Sequence, residues 1–292
     1  MDYDVAMLSG LTLKVVEVAR LTGRFLLNER LVFDRSRVEE KNLHDYVSYV
    51  DRESERRLVD SLSVLLPGAG FITEEETVSY RGEACLWIID PLDGTTNYVH
   101  DQPPYAVSIA LYGRSAGLLL GVVYEPCRDE CFYAWKDGGA YLNGVRISAS
   151  PVTSIGTAYI HLGLPYDAEK YRTFSTAMLS RFYGHVGGVR IAGSAAMDIC
   201  GVAAGRTEAY IEPSLHLWDV AAGILILREA GGIVSDFEGS SLLYGATAGD
   251  SLRVDGYDVV ATNSGLHADV LSYLYDCCLL YTSPSPRDIS GS

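Results

Sequence analysis

No apolar run in the chain reaches the length of about 20 residues that a membrane-spanning helix requires. A signal peptide is not expected, because Asp2 and Asp4 stand where one would carry positive charge. Positive charge is scarce throughout: 23 Lys and Arg face 38 Asp and Glu, for a formal net charge of −15. That balance lacks the basic face that direct nucleic-acid binding wants. It suits a protein that gathers cations, although most of such charge only keeps a protein soluble. Cysteine is sparse and scattered, at Cys85, Cys127, Cys131, Cys200, Cys277 and Cys278. Cys127 and Cys131 flank an expected hairpin, but no second Cys/His pair lies at zinc spacing. A reducing, cytoplasmic setting is the simplest expectation. What the chain does have is ample apolar material, 48% of 292 residues, enough for the full core of one large domain or two closely packed ones.

One stretch carries chemistry. Residues 85–100 read CLWIIDPLDGTTNYVH. The apolar run from Cys85 to Ile89 predicts a buried strand. It ends in Asp90, and Pro91 stops regular structure before Asp93 and a tight polar turn. Carboxylates at the carboxyl end of a strand sit where open α/β sheets place their ligands. Two buried so close together repel unless a cation neutralises them. A hard cation with oxygen ligands answers that need, and Mg²⁺ is usual beside phosphates. Gly94 lets the backbone approach a ligand closely, and the amides and hydroxyls after it can hold phosphate oxygens. The plainer alternative is a strand followed by an Asx/Pro turn, since P-x-D-G is a common turn signal. A helix-loop-helix calcium site does not fit, because Leu92 and Thr95 occupy positions that need an oxygen side chain and a glycine.

Three blocks in order decide between these readings: FITEE (71–75), WIIDPLDGTTNYVH (87–100) and LWDVAAGILILREAGG (217–232). Together they resemble the inositol monophosphatase family, within the wider group of Mg²⁺-dependent, lithium-sensitive phosphatases. The resemblance spans about residues 10 to 272. It implies an α/β (α+β) fold, a layered αβαβα sandwich of the fructose-1,6-bisphosphatase/inositol monophosphatase type. It also implies an N-terminal half over 1–150, a C-terminal half over 151–275 completing the site, and commonly a homodimer. The activity implied is hydrolysis of a small phosphate monoester, inositol monophosphate, with two or three Mg²⁺. Glu74, Asp90 and the Leu92 carbonyl would hold one ion, and Asp90, Asp93 and Asp219 the second. Thr95 and Glu74 would orient and deprotonate the attacking water, with Asp93 also in the catalytic set. Gly94 and Thr95 would hold the phosphate. Asp93, Gly193, Ser194, Ala195, Glu212 and Asp219 would face the substrate, Glu75 would stand behind Glu74, and Lys41 would assist from a loop. Asp51 reads as an exposed helix charge ahead of a supporting carboxylate, and His216 as structural. Sister families share the metal residues, so histidinol phosphate, fructose 1,6-bisphosphate and 3′-phosphoadenosine 5′-phosphate are alternative substrates. The GTTNY turn and the Glu212…Trp218-Asp219 block look more like the inositol branch. A regulatory protein that binds transcription machinery is the rival from another class, as some bacterial relatives do so.

Around these blocks, helical spacing predicts helices over 10–30 and 45–66, separated by an aperiodic charged loop over 31–44. Alternating strands follow over 105–113, 117–126 and 131–136. The pattern changes near Ser150-Pro151. Beyond it come a strand over 157–163, a helix over 168–182 and a strand running into a small-residue helix over 190–206. Glu212 is expected to end a strand, and Asp219 to start a helix that closes at Gly231-Gly232. A last strand (258–263) and helix are followed by a tail over 276–292, Ser/Pro-rich and resembling translated adapter sequence, expected to be non-native or disordered.

Overall fold

The computed structural model describes residues 4–34, 38–42, 45–78, 81–243 and 252–282, with only the backbone described over 39–42 and 45–47 and at 276 and 278–282. Helix α1 (Val5–Arg30) starts where the Asp4 carboxylate accepts the Met7 amide at 2.7 Å, an N-cap. It buries Leu8, Leu11, Val15, Ala19 and Leu26 on one stripe. The expected loop after it instead holds a two-stranded antiparallel hairpin, β1 (Glu39–Asn42) and β2 (Asp45–Val47). Helix α2 (Tyr49–Leu65) consequently begins later than periodicity suggests. Ser48 and Asp51 close a capping box that fixes its start.

Next come β3 (Gly70–Thr73), β4 (Cys85–Asp93), the short helix α3 (Thr95–His100), and strands β5 (Ala106–Gly113), β6 (Gly117–Glu125), β7 (Glu130–Trp135), β8 (Gly139–Leu142) and β9 (Val145–Ile147). The seven strands lie side by side in chain order, β3 parallel to β4 and every later neighbour antiparallel. A second sheet is built from β10 (Tyr159–Leu162), helix α4 (Ala168–Phe182), β11 (Gly188–Arg190), helix α5 (Ala195–Ala203), β12 (Ala209–Leu215), helix α6 (Leu217–Glu229), β13 (Ile233–Ser235), β14 (Tyr257–Thr262) and helix α7 (His267–Thr282). Its five strands take the order β11-β10-β12-β14-β13.

Side-chain alternation along the strands divides the core into layers. On β4, Trp87 and Ile89 face α1 and α2, while Leu86 and Ile88 face α5 and α6. On β14, Val259 and Ala261 face the same central helices, and Val260 faces α4 and α7. The order is therefore helix pair, sheet, helix pair, sheet, helix pair, the αβαβα sandwich expected. Spacing between layers is tight where α6 crosses β6: a Cβ on Gly121 would lie 2.7 Å from the Ala222 carbonyl oxygen. Helix α7 continues to Thr282 and buries Cys277 under α4, while residues 283–292 lie outside the described residues.

Candidate active site

Strand β4 delivers the central carboxylates. Its pairing with β5 is irregular between Asp90 and Asp93, where Pro91 lacks an amide to donate. The Asp90 side chain turns back to accept the Leu92 amide at 2.9 Å and is 2% exposed. Gly94 takes φ +91°, and a Cβ there would lie 3.1 Å from the carbonyl oxygens of both Gly193 and Pro104. Only glycine meets both demands. Thr95 opens α3, and its hydroxyl lies 3.0 Å from both the Leu92 carbonyl and the Asp51 carboxylate.

Asp51 is thus not an exposed helix charge. The capping box turns its side chain inward, where Oδ2 accepts the Ser48 amide at 2.8 Å and hydroxyl at 2.7 Å, and it is 1% exposed. Burial raises its pKa, against the pull of the Ser48 and Thr95 hydrogen bonds.

The C-terminal half meets this turn directly. Asp93 Oδ2 accepts the Ser194 hydroxyl at 2.6 Å and the Ala196 amide at 2.7 Å, at the start of α5. Asn97 donates to the carbonyls of Pro104 at 2.7 Å and Ala192 at 2.8 Å, next to Gly193. Ala195 is buried beside them. At the start of α6 the Asp219 carboxylate accepts the His216 amide at 2.7 Å, a capping contact favourable with the helix dipole. The His216 ring stacks flat on Trp218, centroids 4.9 Å apart, in keeping with a structural role. Glu74 follows β3, its amide donating to the Ile89 carbonyl at 3.3 Å, one residue from Asp90.

These groups repel one another in the absence of cations. Burial first, then Glu74, Asp93 and Asp219, drive the Asp90 carboxyl far above its usual range. Asp93 is pushed up to about 7 by burial and then by Asp219, with the Ser194 and Ala196 hydrogen bonds partly opposing. Glu212 is reached from the second sheet, in the middle of β12 rather than at a strand end. Its carboxyl packs over Gly163, leaving no room for a Cβ there, and bonds the Tyr210 hydroxyl. Crowding pushes it up to about 8, burial first, with Asp198, Asp219 and Asp93 adding repulsion.

All the expected site residues described with side chains therefore gather at one seam, and Glu75 stands behind it through its amide. Lys41 falls among residues whose side chains lie outside the described set. The donors are carboxylates, a carbonyl and hydroxyls, a hard-oxygen set that fits Mg²⁺. Among the described residues no three carboxylate, thiol or imidazole groups already close around a single point. The groove on the outer face of α2, between Arg52, Arg56 and Val78, shares none of these residues.

Two buried acids are invisible to the motif reading. Glu55 is 0% exposed and accepts from Thr73, Glu75 and Thr77. Asp198, 3% exposed on α5, holds His161 Nδ1 at 2.5 Å. The signal in each case is an acid on the apolar face of a helix, where burial is costly unless it is used.

The sequence profile of the inositol monophosphatase family matches residues 9–276. An inositol-1-monophosphatase from Mesorhizobium japonicum is 39% identical over 232 residues, covering 79% of this chain and 87% of that protein. The Nus factor SuhB of Escherichia coli is 37% identical over 227 residues, covering 77% and 84%. Among solved structures, the extragenic suppressor protein suhB of Bartonella henselae superposes with a TM-score of 0.77 at 34% identity, over 89% of this chain and 96% of that one. A Thermotoga maritima IMPase gives 0.80 at 30% identity, over 91% and 97%. With its layers, its buried carboxylates at the end of β4 and these relatives in agreement, this chain belongs to the inositol monophosphatase family.

Proposed function

We propose that this phosphatase hydrolyses inositol monophosphate to inositol and phosphate, using two or three Mg²⁺. The observation that carries the reading is the set of four carboxylates, Glu74, Asp90, Asp93 and Asp219, close enough to raise the pKa of buried Asp90. With the Leu92 carbonyl they would hold the ions. When bound, the ions supply Lewis acidity and charge stabilisation at the attacking and leaving oxygens. Thr95, whose hydroxyl can donate to Asp51, keeps a lone pair to accept a hydrogen bond from the attacking water and so orient it, and the Glu74 carboxylate takes the water's proton. The amides of Gly94 and Thr95 face the transferring phosphoryl oxygens. Asp93, Gly193, Ser194, Ala195, Glu212 and Asp219 line the side where a polyol would bind, with acceptors suited to hydroxyl donors. The working form is a homodimer in the cytoplasm.

Phosphate release from inositol 1-phosphate across a Mg²⁺ titration tests this, with Asp93→Asn as the control. Mg²⁺-dependent turnover lost in the variant is the expected result. Turnover confined to another phosphate monoester would move the substrate and keep the site. No release from any ester by folded protein would overturn the enzyme reading. Relatives named Nus factor favour a second, regulatory role in binding transcription machinery. Capture of that machinery by wild type and by Asp93→Asn alike would separate such a role from catalysis.

A further inference from the structure

Helix α2 turns two buried acids toward the site, Asp51 and Glu55, one helical turn apart and so on one face. Asp51 serves Ser48 and Thr95. Glu55 is spent on the segment after β3. Its Oε1 accepts the Thr73 hydroxyl at 2.8 Å, the Thr77 amide at 2.8 Å and the Thr77 hydroxyl at 2.6 Å, and its Oε2 accepts the Glu75 amide at 2.7 Å. That segment carries three successive glutamates, Glu74 to Glu76, and Glu76 sits at φ +52°, a left-handed conformation uncommon for a side-chain-bearing residue. Repulsion and backbone strain both oppose such a turn. Hydrogen bonds to an ionised acceptor are the strong kind, and they work against both.

We infer that Glu55 is a positioning residue, anchoring the turn that presents Glu74 to cation and substrate. The inference rests on the role proposed for Glu74. Glu74 is fixed from two sides: its own amide is tied to Ile89 on the strand that bears Asp90, and the next amide is tied to Glu55. One face of α2 therefore sets the Thr95 turn and the Glu74 turn at a single spacing.

Glu55→Gln tests this in the full chain, since it keeps the volume and replaces an acceptor oxygen by a donor amide. In cation-free protein the Glu75 and Thr77 amides are expected to exchange hydrogen faster than in wild type. Calorimetric Mg²⁺ affinity is expected to weaken by roughly 10- to 100-fold, the usual effect of removing a partner that orients a metal ligand. With inositol 1-phosphate, half-saturation by Mg²⁺ should rise more than kcat falls. Thr73→Val combined with Thr77→Val removes both hydroxyl donors and leaves the carboxylate, so a smaller shift in the same direction is expected even if Glu55→Gln does not fold. Unchanged exchange and unchanged Mg²⁺ affinity in folded Glu55→Gln would overturn the inference. Glu74→Gln is the reference: if it binds Mg²⁺ and turns over like wild type, the role of Glu74 fails, and exchange at Glu75 and Thr77 still decides whether Glu55 anchors the turn.

Discussion

Removing divalent cations should make the protein more stable as the pH falls from about 8 to about 6, the reverse of ordinary acid destabilisation. Two buried carboxyls drive this, Glu212, pushed up to about 8, and Asp93, 9% exposed, which burial and Asp219 push from 3.8 to about 7; Asp93 is the one that substitution isolates. The unfolded chain ionises this group near its ordinary value, so between the two values the native state holds a proton that the unfolded state has released. Stability then falls as pH rises through the interval and is recovered on acidification. Each pH step across the interval is worth about 1.4 kcal/mol, so protonation of Asp93 between about pH 8 and pH 6 contributes about 1.4 kcal/mol. For a chain of this size that is roughly 3 °C in melting temperature. His267, whose pKa burial lowers, pulls the other way at the acid end. The measurement is therefore the difference between wild type and Asp93→Asn, melted with chelator present at each pH. Asn cannot titrate, so the wild-type curve should gain about 3 °C on the variant over that range. Saturating Mg²⁺, which binds the ionised form, should flatten the wild-type slope. Parallel melting curves for the two proteins would refute the claim that Asp93 is buried against repulsion.

Two further substitutions probe the site and the packing. Thr95→Val removes the hydroxyl shared between Leu92 and Asp51, and kcat should fall by about 100-fold or more while Mg²⁺ half-saturation changes little. Gly121→Ala would set a methyl 2.7 Å from the Ala222 carbonyl where α6 crosses β6, and should cost about 1–3 kcal/mol, read as a lowered urea midpoint.

The parts of the molecule legible in the sequence are those in which one residue type has one job. DPLDG after an apolar run marks the strand that carries the site, although that strand runs on irregularly through Pro91 to Asp93 rather than stopping at Asp90, and the structure places Asp90, Asp93, Ser194 and Asp219 at one seam. Alternation and helical period show which face each core strand and helix buries, while the order of the layers comes from the family resemblance. The failures have common causes. Charge alone makes Asp51 an exposed helix residue, whereas the Ser48-x-x-Asp51 spacing of a capping box implies that its side chain folds back. The same spacing would have moved the helix start from Asp45 to Tyr49. The strand end expected at Glu212 is passed, although Pro213 follows it. The strand absorbs that proline in an irregularity, with Ser214 at φ +65°, and pairs again at Leu215. Glu55 has no motif at all, and its partners lie 18 to 22 residues downstream. The hairpin at β1 and β2 has too little apolar alternation to announce itself.

Asp93 accepts hydrogen bonds from α5 across 101 and 103 residues of sequence. The same carboxylate that would grip a cation is therefore a latch between strand β4 and helix α5, made from separate stretches of chain. Slippage of α5 past β4 by a single hydrogen-bond length would release Ser194 and Ala196 from Asp93. An inactive variant with an altered seam far from β4 would then mimic a lesion in the chemistry itself. Conversely, occupancy by a cation would resist shear between the layers, so mechanical or proteolytic resistance at the seam should track the same ion that turnover requires.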